Sequence, residues 1–221
     1  LGQNIRPVNT TSAWKHVAPL IGGGKSNHMV TGTSDAALAM GGYDPSALTD
    51  TTEKYDGSTW ASSATLAEGR KYGGSAGTQN AALVFGGKDP SSPATDTVER
   101  YNGSTWSEVS DMSVAGNPVG GLGTQNAAVV AGPMGSPAAA QVEQWNGNVW
   151  SEAASHNDNR SSFGMGGSYD AGMMAGGSPA CTCSELWNGS TWTETTDLNE
   201  ARDSQGGTGA GGATSALSVG G

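Results

Sequence analysis

The stretch Ala81-Ala82-Leu83-Val84-Phe85-Gly86-Gly87, followed by Glu99-Arg100-Tyr101-Asn102-Gly103-Ser104-Thr105-Trp106, decides the fold of this 221-residue chain. The apolar run is too short for a helix and is bounded by glycine, so it reads as a strand buried on both faces. Paired glycine then ends the strand and lets neighbouring backbone approach closely. Asn102-Gly103 lies between two short β-prone segments. That dipeptide suits a two-residue type I′ turn, whose central positions both take φ > 0, and it predicts a hairpin between a third and a fourth strand. Trp106 brings a large apolar area to a chain otherwise rich in Ala and Gly.

Both landmarks recur, and a repeat outranks any local signal. The apolar run returns as residues 36–42, 127–132, 172–177 and 216–221. The turn returns as Tyr55-Asp56-Gly57-Ser58-Thr59-Trp60, Trp145-Asn146-Gly147-Asn148-Val149-Trp150 and Trp187-Asn188-Gly189-Ser190-Thr191-Trp192. Glu53, Glu99, Glu143 and Glu185 each stand two residues before the aromatic that opens the turn. The period is about 45 residues.

Each unit therefore has four strands: a first strand such as 70–77, the Gly-Gly strand, the Tyr strand and the Trp strand. One such sheet cannot bury both of its faces, whereas radial packing of several around an axis can. The expected fold is an all-β, five-bladed β-propeller of four-stranded antiparallel blades, forming a single domain over 1–221. Blade 1 covers about 22–64, blade 2 about 66–110, blade 3 about 112–154 and blade 4 about 157–196. Blade 5 takes about 199–221 and 1–17. Its completion by the N-terminal segment is expected because Asn9-Thr10-Thr11-Ser12-Ala13-Trp14 resembles the turn and Trp strand. Trp14, Trp60, Trp106, Trp150 and Trp192 and the pairs Gly41-Gly42, Gly86-Gly87 and Gly176-Gly177 are read as structural. The tryptophans at 60, 106, 150 and 192 are expected to be largely buried between blades.

Composition agrees. Gly is 36 of 221 residues without a G-X-Y period, charged residues are 14 %, and 7 Trp and 5 Tyr dominate the aromatics, which favours strands and tight turns. A formal net charge of −10 repels phosphate backbones, so no nucleic-acid partner is expected. No apolar run is long enough for a membrane-spanning helix, and no membrane insertion is expected. The chain begins at Leu1, which suggests processing or a segment of a longer protein.

The Gly-Gly strand, the Glu-x-Tyr or Glu-x-Trp strand and the following Trp resemble the kelch family over essentially the whole chain. The third unit departs from the pattern, with Ala131-Gly132 in place of Gly-Gly. The Gly-Thr-Gln-Asn-Ala-Ala segments (77–82 and 123–128) and the Asn-Gly-Ser-Thr-Trp turn look most similar to kelch-like repeats in virion structural proteins of tailed, marine-type bacteriophages. That resemblance implies a non-catalytic binding or structural module, such as a virion decoration, tail or receptor-binding protein. It further implies a virion or extracellular surface location. Its partners would be other virion or surface proteins, or a host glycan or protein receptor. The alternative is a carbohydrate-active propeller, lectin or glycoside hydrolase, holding sugar in the central depression or between blades.

No catalytic residue, metal ligand set or cofactor is expected. The Asp56-Gly57-Ser58-Thr59-Trp60 turn superficially resembles the sialidase Asp-box but lacks its spacing, and three of four copies carry Asn. The four recurring glutamates sit at equivalent places on different blades, which argues for blade packing rather than one catalytic pair. His16, His28 and His156 fall at unrelated repeat positions. Cys181 and Cys183 form no disulfide framework, lack the further soft ligands of a zinc site, and read as two small core residues on one strand face. Asn9, Asn102, Asn159 and Asn188 stand in Asn-x-Ser/Thr sequons, two of which are turns already explained by backbone chemistry.

Two sets of binding candidates remain. Lys25, Arg70, Arg160 and Arg202 lie at or near one repeat position and are expected at the rim of the central channel. There they would hold an anionic group or merely neutralise nearby carboxylates. The long loops 43–51 and 88–97 differ in sequence on a rigid scaffold, which marks Tyr43, Asp44, Lys88 and Asp89.

Overall fold

The structure is a computed structural model that describes residues 17–88, 94–117, 120–134, 139–208 and 217–220. Four antiparallel sheets follow in chain order, each laid out from its first strand to its last. The first holds β1 (Met29–Thr33), β2 (Ala36–Met40), β3 (Thr52–Tyr55) and β4 (Trp60–Ser63). The second holds β5 (Gly74–Thr78), β6 (Ala81–Phe85), β7 (Val98–Tyr101) and β8 (Trp106–Val109). Next come β9 (Gly120–Thr124), β10 (Ala127–Met134), β11 (Ala139–Trp145) and β12 (Trp150–Ala153). The fourth sheet holds β13 (Gly164–Ser168), β14 (Ala171–Ala175), β15 (Ser184–Trp187) and β16 (Trp192–Glu194). β17 (Gln205–Thr208) and β18 (Leu217–Gly220) pair as a two-stranded sheet.

First strands meet first strands: β1 contacts β5, β5 contacts β9, β9 contacts β13, and β13 contacts β17. Small residues permit this approach. Thr31 Oγ1 donates to Gly77 O at 2.7 Å, and Ser75 Oγ to Val30 O at 3.1 Å, across the first two sheets. The chain is an all-β propeller with four-stranded antiparallel blades. The expected count of five is corrected to four four-stranded blades among the described residues. Among the described residues the fifth unit supplies the two strands β17 and β18. The expected completion by the N-terminal segment, Trp14 included, falls on residues 1–16, outside the described residues.

Residues 18–25 stand to blade 1 as residues 64–70 stand to blade 2. Trp60 Nε1 donates to Ala18 O and Trp106 Nε1 to Ala64 O, both at 3.1 Å. Glu53 accepts the Ile21 N–H and Glu99 that of Ala67.

Three apolar clusters fill the gaps between successive blades. Leu38 and Met40 of blade 1 meet Ala82, Val84 and Tyr101 of blade 2. Leu83, Phe85 and Val98 of blade 2 meet Val130, Trp145 and Trp150 of blade 3. Leu122, Val129 and Val142 meet Met174, Trp187 and Trp192 of blade 4. Trp150 and Trp192 are buried as expected, at 7 % and 6 % exposure. Trp60 and Trp106 are only half-buried, so the expectation holds for two of the four. Each Trp also tilts against the aromatic across its own hairpin, with centroids 5.0 Å apart for Tyr55 and Trp60.

The hairpin between third and fourth strands differs from the expected two-residue type I′ turn. Tyr55 pairs directly with Trp60, leaving a four-residue loop in which Gly57 has φ +92°, while Asp56 stays out of the left-handed region. The Asp56 carboxylate closes the loop instead, accepting the Ser58 and Thr59 N–H groups at 2.8 and 2.7 Å. Asn102, Asn146 and Asn188 do the same through Oδ1. The Asx side chain is selected for its acceptor oxygen rather than for tolerance of positive φ.

Candidate functional site

The recurring glutamates come first, because they are the carboxylates an active site would need. Glu99 projects from β7 into the segment entering its own blade, where it accepts from Ala67 N and pairs with Arg70 Nη2 at 2.7 Å. Arg70 Nη1 donates to Thr97 O and Gly86 O at 3.1 and 3.3 Å. The Arg70 backbone binds the preceding blade instead, its carbonyl taking the Gly42 N–H at 2.8 Å. One residue thus ties two blades together. Glu53 pairs with Lys25 at 2.6 Å and Glu185 with Arg160 at 2.8 Å. Glu143 takes two backbone donors, Ser113 and Val114, from the same connecting segment. The expected packing role of the glutamates therefore has a specific form: each gathers the incoming connection onto the third strand.

This placement corrects the expected position at the channel rim, while the alternative reading, neutralisation of nearby carboxylates, holds for Lys25, Arg70 and Arg160. Arg70 and Arg160 are 2 % and 3 % exposed, and Lys25 is held by Glu53 and Thr51. A buried carboxylate draws the nearest cation out of reach of a ligand, because neither charge tolerates burial alone. Arg202 remains exposed, pairing loosely with Glu200 at 3.3 Å and donating to Gly220 O. Burial pushes the Glu99 carboxyl up against the opposing pull of Ala67 N–H and Arg70. At Glu53 burial acts upward too, but the Lys25 and Ile21 bonds outweigh it and the net direction is down.

The axis itself is a cavity of about 480 Å³ lined by the first strands. Thr33, Thr78, Thr124 and Ser168, each the last residue of its strand, are among the lining residues. Among the described residues no charged side chain lines it, so that lining suits a neutral polar guest. The sequence signal was present in the recurring Gly-Thr or Gly-Ser at 32–33, 77–78, 123–124 and 167–168, but nothing local marks those residues as lining one space. A second cavity, about 410 Å³, brings the predicted Lys25 and Asp44 together beside Thr49, Thr51 and Glu53.

The Gly-Gly end of the blades carries the predicted loops. Tyr43 bridges Ser26 and Leu48, and Lys88 exchanges backbone bonds with Lys71. Lys71 Nζ sits 4.5 Å from the Tyr43 ring centroid and 5.3 Å from that of Tyr72. Tyr72 is 40 % exposed and holds φ +59°, where Asn27, Ser162 and Ser204 hold φ +55° in other units. Lys71 and Tyr72 escaped the sequence reading because they lie beside Arg70 rather than in the long loops. Asp44 is occupied in its own turn, accepting from Ser46 and Ala47. Asp89 lies outside the described residues.

Cys181 and Cys183 are not two small core residues on a strand. They form a disulfide in the connection between β14 and β15, a local cross-link that counting cysteines could not reveal. Among the described residues no group of three or more His, Cys, Asp or Glu is placed to hold a metal ion. Among the described residues no helix is long and apolar enough to cross a membrane.

Residues 69–113, from the Arg70 connection through blade 2, match the family model described as the Kelch motif. A comparison with curated proteins finds no match to the chain.

Proposed function

We propose that this kelch-like β-propeller is a non-catalytic binding or structural module on the exterior of a particle or cell. The observation that carries the reading is the division of its polar groups. The recurring carboxylates are each engaged in holding a blade connection, whereas Tyr43, Lys71 and Tyr72 form an aromatic and cationic surface on the loop end. Rings beside a cation on a rigid scaffold suit recognition of a partner surface. The likeness of the repeats to those of tailed-bacteriophage virion proteins favours a virion decoration, tail or receptor-binding role. Other virion proteins or a host receptor would be its partners there.

The test is mass spectrometry of purified particles from the native source, combined with binding of the isolated chain to cells and to a glycan array. Recovery with capsid or tail proteins, and at least tenfold weaker binding by Tyr72→Ser at unchanged thermal midpoint, is the expected result. Turnover of a chromogenic glycoside would overturn it. A second reading, sugar held in the central depression, draws support from the axial cavity, whose described lining residues carry no charge and include Thr33, Thr78, Thr124 and Ser168. Under that reading Thr78→Val would lower glycan binding while Tyr72→Ser would leave it unchanged.

A further inference from the structure

We propose that Cys181–Cys183 is a thiol–disulfide exchange site whose co-reactant is a protein or small-molecule thiol, with Cys183 the sulfur attacked and Cys181 the sulfur that leaves. This goes beyond the binding reading and does not depend on the loop end. The two cysteines are joined across a single intervening residue, with Cα atoms 5.4 Å apart. A bridge closing so short a loop removes little entropy from the unfolded chain, so it adds little as a structural clamp. Backbone bonds already hold the segment: Gly176 N–H donates to Cys183 O and Arg202 N–H to Cys181 O, at 2.9 and 3.1 Å. Cys181, Thr182 and Cys183 are all partly exposed, so the segment borders solvent.

The two sulfurs are not equivalent. Arg160 Nη1 lies 3.9 Å from Cys181 Sγ, and no described contact brings a cation to Cys183. Arg160 is fixed in that position, because its Nη2 is held by Glu185 at 2.8 Å and the side chain is buried. Two carboxylates oppose it: buried Glu185 on Nη2, and Asp158, 3.7 Å from the same Nη1 but 56 % exposed and screened by water. Asp197 reaches the segment through Thr182 Oγ1. A guanidinium beside a sulfur favours its thiolate, and the sulfur with the more acidic thiol leaves faster.

The step balances without an oxidant. An external thiolate forms a new S–S bond to Cys183 Sγ, the Cys181–Cys183 bond breaks, and its electron pair remains on Cys181 Sγ beside Arg160. Return attack by Cys181 on Cys183 releases the guest thiolate and restores the ring. Attack by a second guest thiolate on the mixed disulfide instead yields the guest disulfide and the reduced cysteine pair.

The full oxidised chain is incubated with glutathione at pH 7, quenched with acid, alkylated and mapped by peptide mass spectrometry. At least tenfold more glutathione is expected on Cys183 than on Cys181. In the reduced protein, Cys181 is expected to alkylate at least tenfold faster than Cys183 at pH 7, with an inflection below the ordinary ~8.5. Equal labelling, glutathione on Cys181, or a mixed disulfide formed only after unfolding would overturn the proposal. So would two free thiols in the air-oxidised protein. Cys183→Ser isolates the Cys181 thiol, and an ordinary alkylation profile there refutes the assignment whatever the exchange shows.

Discussion

Replacing Arg70 by methionine keeps most of the buried side-chain volume and removes its charge and donors. Three bonds are lost: those from Nη1 to Gly86 O and Thr97 O, and that from Nη2 to Glu99. Glu99, 1 % exposed, is then left with the Ala67 N–H and no cation. Breaking a buried pair on one side costs about 3–5 kcal/mol, since the remaining charge is stranded in a low-dielectric site. For a chain of this length that is a fall of about 6–20 °C in thermal midpoint. Arg202→Met is the matched control, because its pair with Glu200 is 43 % and 77 % exposed and is worth less than about 1 kcal/mol. The double variant Arg70→Met, Glu99→Leu should recover part of the loss, because no charge remains buried. Burial already raises Glu99, so in Arg70→Met the folded carboxyl binds protons more readily than the unfolded one. Stability of that variant therefore rises as pH falls through the folded-state value. Calorimetry and urea titration read these quantities. Arg70→Met within 1 kcal/mol of the parent, or indistinguishable from Arg202→Met, would refute the view that this arginine binds the blades together.

Three further outcomes are expected. Trp150→Ala, which empties a buried contact with Phe85 at a centroid distance of 5.2 Å, should cost about 3–5 kcal/mol by urea titration, and half-buried Trp60→Ala clearly less. Gly87→Ala places a Cβ 2.6 Å from Lys71 O at φ +96°, so a loss of about 1–3 kcal/mol in the same assay is expected, while Gly24→Ala, with open space, should be near neutral. His156 is held down to about 4 by burial and then by Arg160, so its folded value lies below the unfolded 6.5. Its contribution is present above pH 6.5 and is lost as pH falls toward 4, about 3 kcal/mol in all, and His156→Gln should show a flatter pH dependence of the thermal midpoint across that window.

Much of the architecture was legible because the repeat is written in residues with narrow physical uses. Short apolar runs before Gly-Gly could only be buried strands, Asx-Gly could only be turns, and glutamates in register had to serve the blades equally. Blade order, the four-strand unit and the channel-lining first strands follow from that pattern. The count of four-stranded blades and the full burial of Trp60 and Trp106 did not follow, and neither did several local features. The turn at Asp56 proved a side-chain acceptor loop, since Asx-Gly is compatible with both hairpin chemistries and strand register chooses between them. The cations at 25, 70 and 160 turned away from the channel, because a buried glutamate 25 to 29 residues along the chain competes for them. Which sulfur of Cys181–Cys183 faces Arg160, and which tyrosines close around Lys71, depends on distances between segments that the chain brings together only when folded. Periodicity reports how one unit is built; contacts between units are decided by where the backbone places side chains that the sequence keeps far apart.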